Sequence, residues 1–153
     1  MQPRHKRILE FWDRSGQLNV KHKRYANFVR NFLSMLLKQD IADGDITSNS
    51  LVKKDKAVSA IIIAKEDGIF AGLQELKLLN RDLRIIPLRK DGDKIKAGQV
   101  LVKITGPAGK ILERERVCLN LLQRMSGIAT LTEKLAGKLG NVKLAATRKT
   151  LWG

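Results

Sequence analysis

The sequence predicts an α+β fold: a helix, a small sheet-rich module, then a long helix leading to one more strand. Three observations predict it. Apolar residues recur at helical spacing near the N-terminus. Runs of β-branched residues alternate with glycine turns through the middle. The period returns to helical after residue 110.

The elements follow in order. Tyr25, Phe28, Phe32, Met35 and Leu36, with cations between them, predict a helix from about Lys21 to Gln39. "DGD" at Asp43 to Asp45 ends it as a turn, and "DITSNS" reads as a polar loop. "AVSAIIIA", Ala57 to Ala64, is a strand, and "KEDG" follows it as a turn. "GIFAGLQELKLL" runs from a strand into a short helix. Short strands then alternate with turns at Asp91-Gly92, Ala97-Gly98 and Gly106-Pro107. This glycine spacing resembles the turns of biotinyl and lipoyl carrier domains. Their Met-Lys-Met hairpin is missing, so the likeness extends only to a sandwich-like shape.

From about Ile111 to Leu139 a wide apolar stripe predicts one long helix or two. It comprises Cys118, Leu121, Leu122, Met125, Ile128, Ala129, Leu135 and Leu139. Ser126-Gly127 interrupts it; a mid-helix glycine costs about 1 kcal/mol against alanine, so packing or a kink is expected there. Val142 to Ala146 reads as a strand with Arg148 and Lys149 at its C-terminal end.

Composition narrows the function. At 153 residues the chain is sized for about one domain, and such a length can bury roughly two-thirds of its unfolded surface. A net charge of +15 points to an anionic partner: nucleic acid, a phosphorylated metabolite or acidic lipid. Few aromatics argue against a single-strand stacking platform, and no zinc-finger spacing occurs. The single cysteine, Cys118, excludes a disulfide framework and a multi-cysteine metal site, and reads as a buried small hydrophobe. No apolar run approaches the roughly 20 residues of a membrane span, and the N-terminus lacks a secretory signal's apolar stretch. A soluble, cytoplasmic protein is expected.

Few residues offer chemistry. Arg148 and Lys149 at a strand end could clamp an anion, Arg as a planar fork and Lys as a point charge. Taken alone they also read as two solvated cations. Arg114 and Arg116 in "LERERVCLN" could aim one guanidinium at a ligand from a helix start, or simply pair with neighbouring glutamates. His5 and His22 lie far from any carboxylate cluster with metal spacing, and neither a Ser/His/Asp set nor a P-loop is visible.

Taken together, four segments in order resemble quinolinate phosphoribosyltransferases: "GDIT" (Gly44 to Thr47), "DGIFAGL" (Asp67 to Leu73), "ERVCLNLLQRMSGIATLT" (Glu115 to Thr132) and "ATRKT" (Ala146 to Thr150). The first two are weak alone; the third is long and specific, and the fourth follows at the right distance. The resemblance implies an N-terminal α/β sandwich domain over 1–110 and, over 111–153, the connecting helix and first strand of an incomplete α/β barrel. A complete barrel of this kind runs to about 250 residues, so the chain looks like the N-terminal half of such an enzyme.

The implied reaction joins quinolinate to phosphoribosyl pyrophosphate with Mg²⁺, giving nicotinate mononucleotide, pyrophosphate and carbon dioxide. The resemblance gives Arg148 a quinolinate carboxylate and sets Lys149 between the two substrates. It places the Thr147 hydroxyl nearby and sends Arg116 into the neighbouring subunit's site of a homodimer. "SGIAT" would be a packing helix whose Ser and Gly allow close approach. No catalytic residue and no metal ligand is expected within this chain, so the isolated chain is expected to be inactive. Two alternatives remain at this point: a basic nucleic-acid-binding module, and a related phosphoribosyltransferase of the molybdenum-transport-associated type.

Overall fold

A computed structural model describes residues 15–41, 56–142 and 144–145. After a 3₁₀ turn at Ser15–Gln17, the elements run α1 (Lys23–Asp40), β1 (Ala57–Ile63), β2 (Gly68–Ile69), α2 (Leu73–Leu79), β3 (Arg84–Pro87), β4 (Lys94–Ile95), β5 (Val100–Pro107) and α3 (Ala108–Ala136). The strands make two antiparallel sheets, one in the order β1-β5-β3 and one pairing β2 with β4. Helices back the larger sheet, so the layers are helix on sheet rather than sheet on sheet.

Alternation sorts the strand residues. Val58, Ala60 and Ile62 of β1 are shielded, while Ser59, Ile61 and Ile63 face outward. On β5 the register slips between Ile62 and Ile63, which pair with Val102 and Val100, leaving Leu101 unpaired. That bulge lets the adjacent Leu101 and Val102 both be buried, which a regular pleat forbids. The main core gathers Phe70, Leu73, Leu76, Val102, Ile104, Cys118 and Leu122.

α1 appears where the spacing predicts it, but its buried side is one position away from the expected stripe. Ala26, Val29 and Leu33 are buried against Leu78 and Val117. Phe28 and Met35 are exposed, and Phe28 stacks on Phe32 at 6.2 Å. Tyr25, Phe32 and Leu36 of the expected stripe are half-buried at the edge of the same cluster. Tyr25 ties α1 to α2: its hydroxyl donates to the buried Glu75 Oε1 at 2.7 Å. Burial first, then the Glu75 contact, pushes the Tyr25 phenol well above its ordinary value.

α3 is one unbroken helix of 29 residues, about 44 Å long at 1.5 Å per residue. Ser126-Gly127 therefore does not interrupt it. Nor is Gly127 a point of close approach, since a Cβ there would meet nothing within 4 Å. The close approach is real, but its glycines lie on the other partner. A Cβ at Gly68 would sit 2.6 Å from Thr130 Oγ1, and one at Gly72 would sit 3.0 Å from Met125 Sδ. Gly72 also has φ +103°, a left-handed conformation that opens α2.

The expected strand at Val142–Ala146 is not formed at its described residues. Val142, Leu144 and Ala145 belong to no strand and have no ladder partner among the described residues. A strand needs a neighbour to satisfy its backbone, and none of the described residues supplies one. The expected turn at Asp43 to Asp45 and the loop after it lie outside the described residues.

The two glycines predict opposite responses to alanine. Gly72→Ala meets both a positive φ and the Met125–Leu122 surface, and should cost about 2 kcal/mol. Gly127→Ala fills open space on a helix and should stabilise by about 0.5–1 kcal/mol. Urea denaturation of the two variants checks both signs.

Candidate functional site

Of the expected site residues, Arg116 is described, whereas Thr147, Arg148 and Lys149 lie outside the described residues, as does "GDIT". Arg116 is not at a helix start: α3 begins at Ala108, more than two turns earlier. Its neighbour in the motif, Arg114, projects from a different side of the helix, since residues two apart do not share a face.

The two arginines do different jobs. Arg114 is largely shielded, with 17% of its side chain exposed, and grips Asp82 through both guanidinium ends: Nη1 to Oδ1 at 2.5 Å and Nη2 to Oδ2 at 3.2 Å. Lys110 adds a bond to Asp82 Oδ2 at 2.7 Å. These donors, Arg114 first, hold the Asp82 carboxyl far below the usual carboxylate range. The cluster fastens the α2–β3 connection to the first turns of α3.

Arg116 instead has 74% of its side chain exposed. Its Nη1 donates to Asp40 Oδ1 at 2.9 Å, across 76 positions of sequence. Neither arginine pairs with its adjacent glutamates among the described residues; both bonds cross between elements. Asp40 is the last residue of α1, and α1 packs on α3 through Val29, Leu33 and Val117. The apolar contact therefore sets the spacing at which the ion pair forms.

Along the same side of α3, Asn120, Gln123 and Arg124 line a shallow open depression. Together with Arg116 it offers amide and guanidinium donors, the chemistry of anion binding. It offers no nucleophile and no acid for proton transfer. Cys118 is buried on the other side, and Asn80 Nδ2 donates to its Sγ at 3.2 Å. Burial raises the thiol above its ordinary value, with the Asn80 bond opposing, so it stays a protonated packing residue. Among the described residues no three His, Cys, Asp or Glu side chains group to hold a metal. His22 is exposed just before α1.

The sequence reading missed the carboxylates that place these arginines. Asp40 and Asp82 lie in "KQDIAD" and "NRDLR", which as strings are ordinary helix ends and turns. It also missed Asp91, whose Oδ1 accepts from the Leu73 N–H at 2.9 Å and so caps α2 from a distant turn. The available signal in "SGIATLT" was the four-residue spacing of its hydroxyls. Thr130 Oγ1 accepts from the Ile69 N–H at 2.8 Å, and Ser126 Oγ accepts from the Ala71 N–H at 3.1 Å.

Comparison with known proteins gives consistent results. The family model for the quinolinate phosphoribosyl transferase N-terminal domain matches residues 45–126. A Bacillus subtilis (strain 168) protein named as a probable nicotinate-nucleotide pyrophosphorylase (carboxylating) is 40% identical over 131 residues, covering 82% of this chain and 45% of that protein. The chloroplastic nicotinate-nucleotide pyrophosphorylase of Arabidopsis thaliana is 41% identical over 130 residues, covering 82% of this chain and 37% of that one. Among solved structures, NadC from Streptococcus pyogenes superposes with a TM-score of 0.67 at 29% identity, over 74% of this chain and 42% of its own. The nicotinate-nucleotide pyrophosphorylase from Francisella tularensis gives 0.67 at 31%, over 73% and 41%. The chain thus spans less than half the length of these relatives.

The two ion pairs should respond differently to mutation. Asp82→Asn should cost about 1 kcal/mol at pH 7, and Asp40→Asn no more than about 0.5 kcal/mol. The Asp82 carboxyl is depressed in the folded chain. Its contribution is therefore complete above the ordinary value of 3.8 and is lost as pH falls through the lower folded value. The gap between the parent chain and Asp82→Asn should narrow below about pH 4. Urea denaturation across pH 3–7 measures it.

Proposed function

The chain belongs to the quinolinate phosphoribosyltransferase family, and from that membership we propose that it serves as the N-terminal part of an enzyme of NAD biosynthesis. The reaction proposed is phosphoribosyl transfer from phosphoribosyl pyrophosphate to quinolinate with decarboxylation, yielding nicotinate mononucleotide, pyrophosphate and carbon dioxide. The family match over residues 45–126 carries the reading, and the pyrophosphorylase names of the relatives agree with it.

The chemistry suits a basic chain. The substrates bring two carboxylates, a phosphate and a diphosphate, and bond breaking puts negative charge on the departing pyrophosphate. Fixed cations stabilise that charge as it forms. In this proposal Arg116 extends from α3 into the neighbouring subunit's site of a homodimer. Its exposure and its single described partner, Asp40, support that role. Arg148 takes a quinolinate carboxylate, Lys149 sits between the substrates and Thr147 adds a hydroxyl. Residues 111–153 are read as the connection into an α/β barrel. Mg²⁺ would help neutralise the leaving group, but the described residues do not group to hold it.

A cytoplasmic location belongs to the same proposal. No helix among the described residues is long and apolar enough to cross a membrane, while plant relatives carry chloroplastic and mitochondrial names. Two other readings have distinct signatures. The net charge of +15 is the observation that favours a nucleic-acid-binding module, which predicts steeply salt-dependent binding. A molybdenum-transport-associated relative would accept a different acid.

The purified chain should form no nicotinate mononucleotide by itself. Mixed with the C-terminal part of the Bacillus subtilis relative, it should do so in a quinolinate-dependent way. Arg116→Ala in that mixture should lower the rate by about tenfold or more. Product chromatography follows the reaction. Turnover of another acid in place of quinolinate, or salt-sensitive DNA binding without turnover, would reject the assignment.

A further inference from the structure

The outer side of α1 carries apolar side chains that the domain does not cover. Ala26, Val29 and Leu33 take the buried side. On the opposite side Arg24, Phe28, Asn31, Met35 and Lys38 are all exposed. They recur at spacings of four and three residues, so they form one line along the helix. Phe28 is 67% exposed and Met35 47%. The Phe28 ring lies parallel to that of half-buried Phe32, with centroids 6.2 Å apart, so the apolar strip reaches the edge of the α1 cluster. A single exposed hydrophobe is ordinary, but a continuous strip marks a contact surface.

The charges around the strip have one sign. Lys23, Arg24, Arg30 and Lys38 are exposed, and none of them pairs with a carboxylate among the described residues. The single acid of α1, Asp40, is taken by Arg116. The helix therefore shows water an apolar middle with a cation at each end and more along its flank. That combination narrows the anion. A nucleic acid duplex would reward the cations through its phosphates but would offer no apolar surface to Phe28 and Met35. An anionic bilayer meets both: headgroups take the cations, and the boundary with the acyl chains takes the apolar strip. The long stems of Arg24 and Lys38 let their charges stay at headgroup level while Phe28 and Met35 sit deeper.

We propose that the Arg24–Lys38 side of α1 docks the domain on an anionic lipid surface, with Phe28 and Met35 entering the boundary between headgroups and acyl chains. The helix lies on the bilayer and does not cross it: no helix among the described residues is long and apolar enough to do so. Its buried side stays fixed to α2 and α3 through Leu78 and Val117, so the whole domain is carried with it. The docking is independent of the reaction proposed above.

Co-sedimentation with lipid vesicles tests the docking. The purified chain should bind vesicles of equal parts phosphatidylcholine and phosphatidylglycerol about tenfold or more tightly than vesicles of phosphatidylcholine alone. Phe28→Ser with Met35→Ser should weaken that binding about tenfold or more. Arg24→Gln with Lys38→Gln should do the same. Lys77→Gln with Lys103→Gln removes two charges from α2 and the exposed sheet face, and should leave binding within about twofold. Both α1 variants should melt within about 2 °C of the parent; a fall of more than about 5 °C would make the strip part of the fold and overturn the proposal. Four other outcomes overturn it. They are no binding to the anionic vesicles, equal binding to the neutral ones, equal loss in the Lys77 and Lys103 variant, and α1-dependent binding of a DNA duplex in place of vesicles. Vesicle binding should also survive an excess of the C-terminal part of the Bacillus subtilis relative; its loss would assign the strip to a contact within the enzyme and reject the docking.

Discussion

The backbone at Gly68 and Gly72 lies so close to the side chains of α3 that a Cβ at either would press on Thr130 or Met125, and much of the molecule is arranged around that contact. Close approach puts backbone N–H groups against a helix whose own backbone is already paired. The helix must then supply side-chain acceptors. Ser126 and Thr130 do this for Ala71 and Ile69. Each hydroxyl also donates, Thr130 to the Ser126 carbonyl at 2.7 Å and Ser126 to the Ala71 carbonyl at 3.3 Å. Small residues on one partner and hydroxyls on the other are thus one solution to one problem. The fit seats Phe70 in the core with no exposed surface and starts α2 at Gly72.

From that contact the rest follows by packing. α2 and the sheet cover one flank of α3 near its N-terminus, and α1 covers another through Val29, Leu33, Leu78 and Val117. The charged bonds come after these contacts. Asp82 with Arg114 and Lys110 joins parts that the core already holds close. It gains from the shielding of Arg114, whereas the exposed pairs Lys96–Asp67 and Lys94–Glu133 remain in contact with water and gain little. The net charge of +15 is therefore not a stability device, because like charges repel.

The parts of this structure that were legible in the sequence are those governed by periodicity. α1, β1, α2 and the strands between glycine turns fall close to where spacing puts them. The failures have a common physical cause: they depend on what lies across the gap. Phe28 and Met35 carry the helical period as well as Val29 and Leu33 do, but α1 is turned so that Val29 and Leu33 are buried and Phe28 and Met35 are exposed. Gly127 is an interrupter by propensity, yet the tertiary contacts of its neighbours carry the helix through it. Of the candidate site, Arg116 was singled out through the long motif around it. Its partner Asp40 was not, because 76 positions separate them and only the packing of α1 on α3 brings them together.

Asp40 shows how a position can be unfavourable locally and still be informative. The C-terminal end of a helix carries partial negative charge, so a carboxylate in the last turn of α1 is disfavoured there, by roughly 0.3–1 kcal/mol. Lys38 in the same turn has the favoured sign. The Arg116 guanidinium offsets the misplaced charge at 2.9 Å, but a pair this exposed adds little net stability. What it does fix is direction. One guanidinium nitrogen is committed to Asp40, which leaves the other N–H donors without a partner among the described residues. An arginine meant only to keep the fold together would lie flat and shielded, as Arg114 does against Asp82. The contrast between the two, two residues apart on one helix, is between a shielded cation held by a carboxylate and an exposed one.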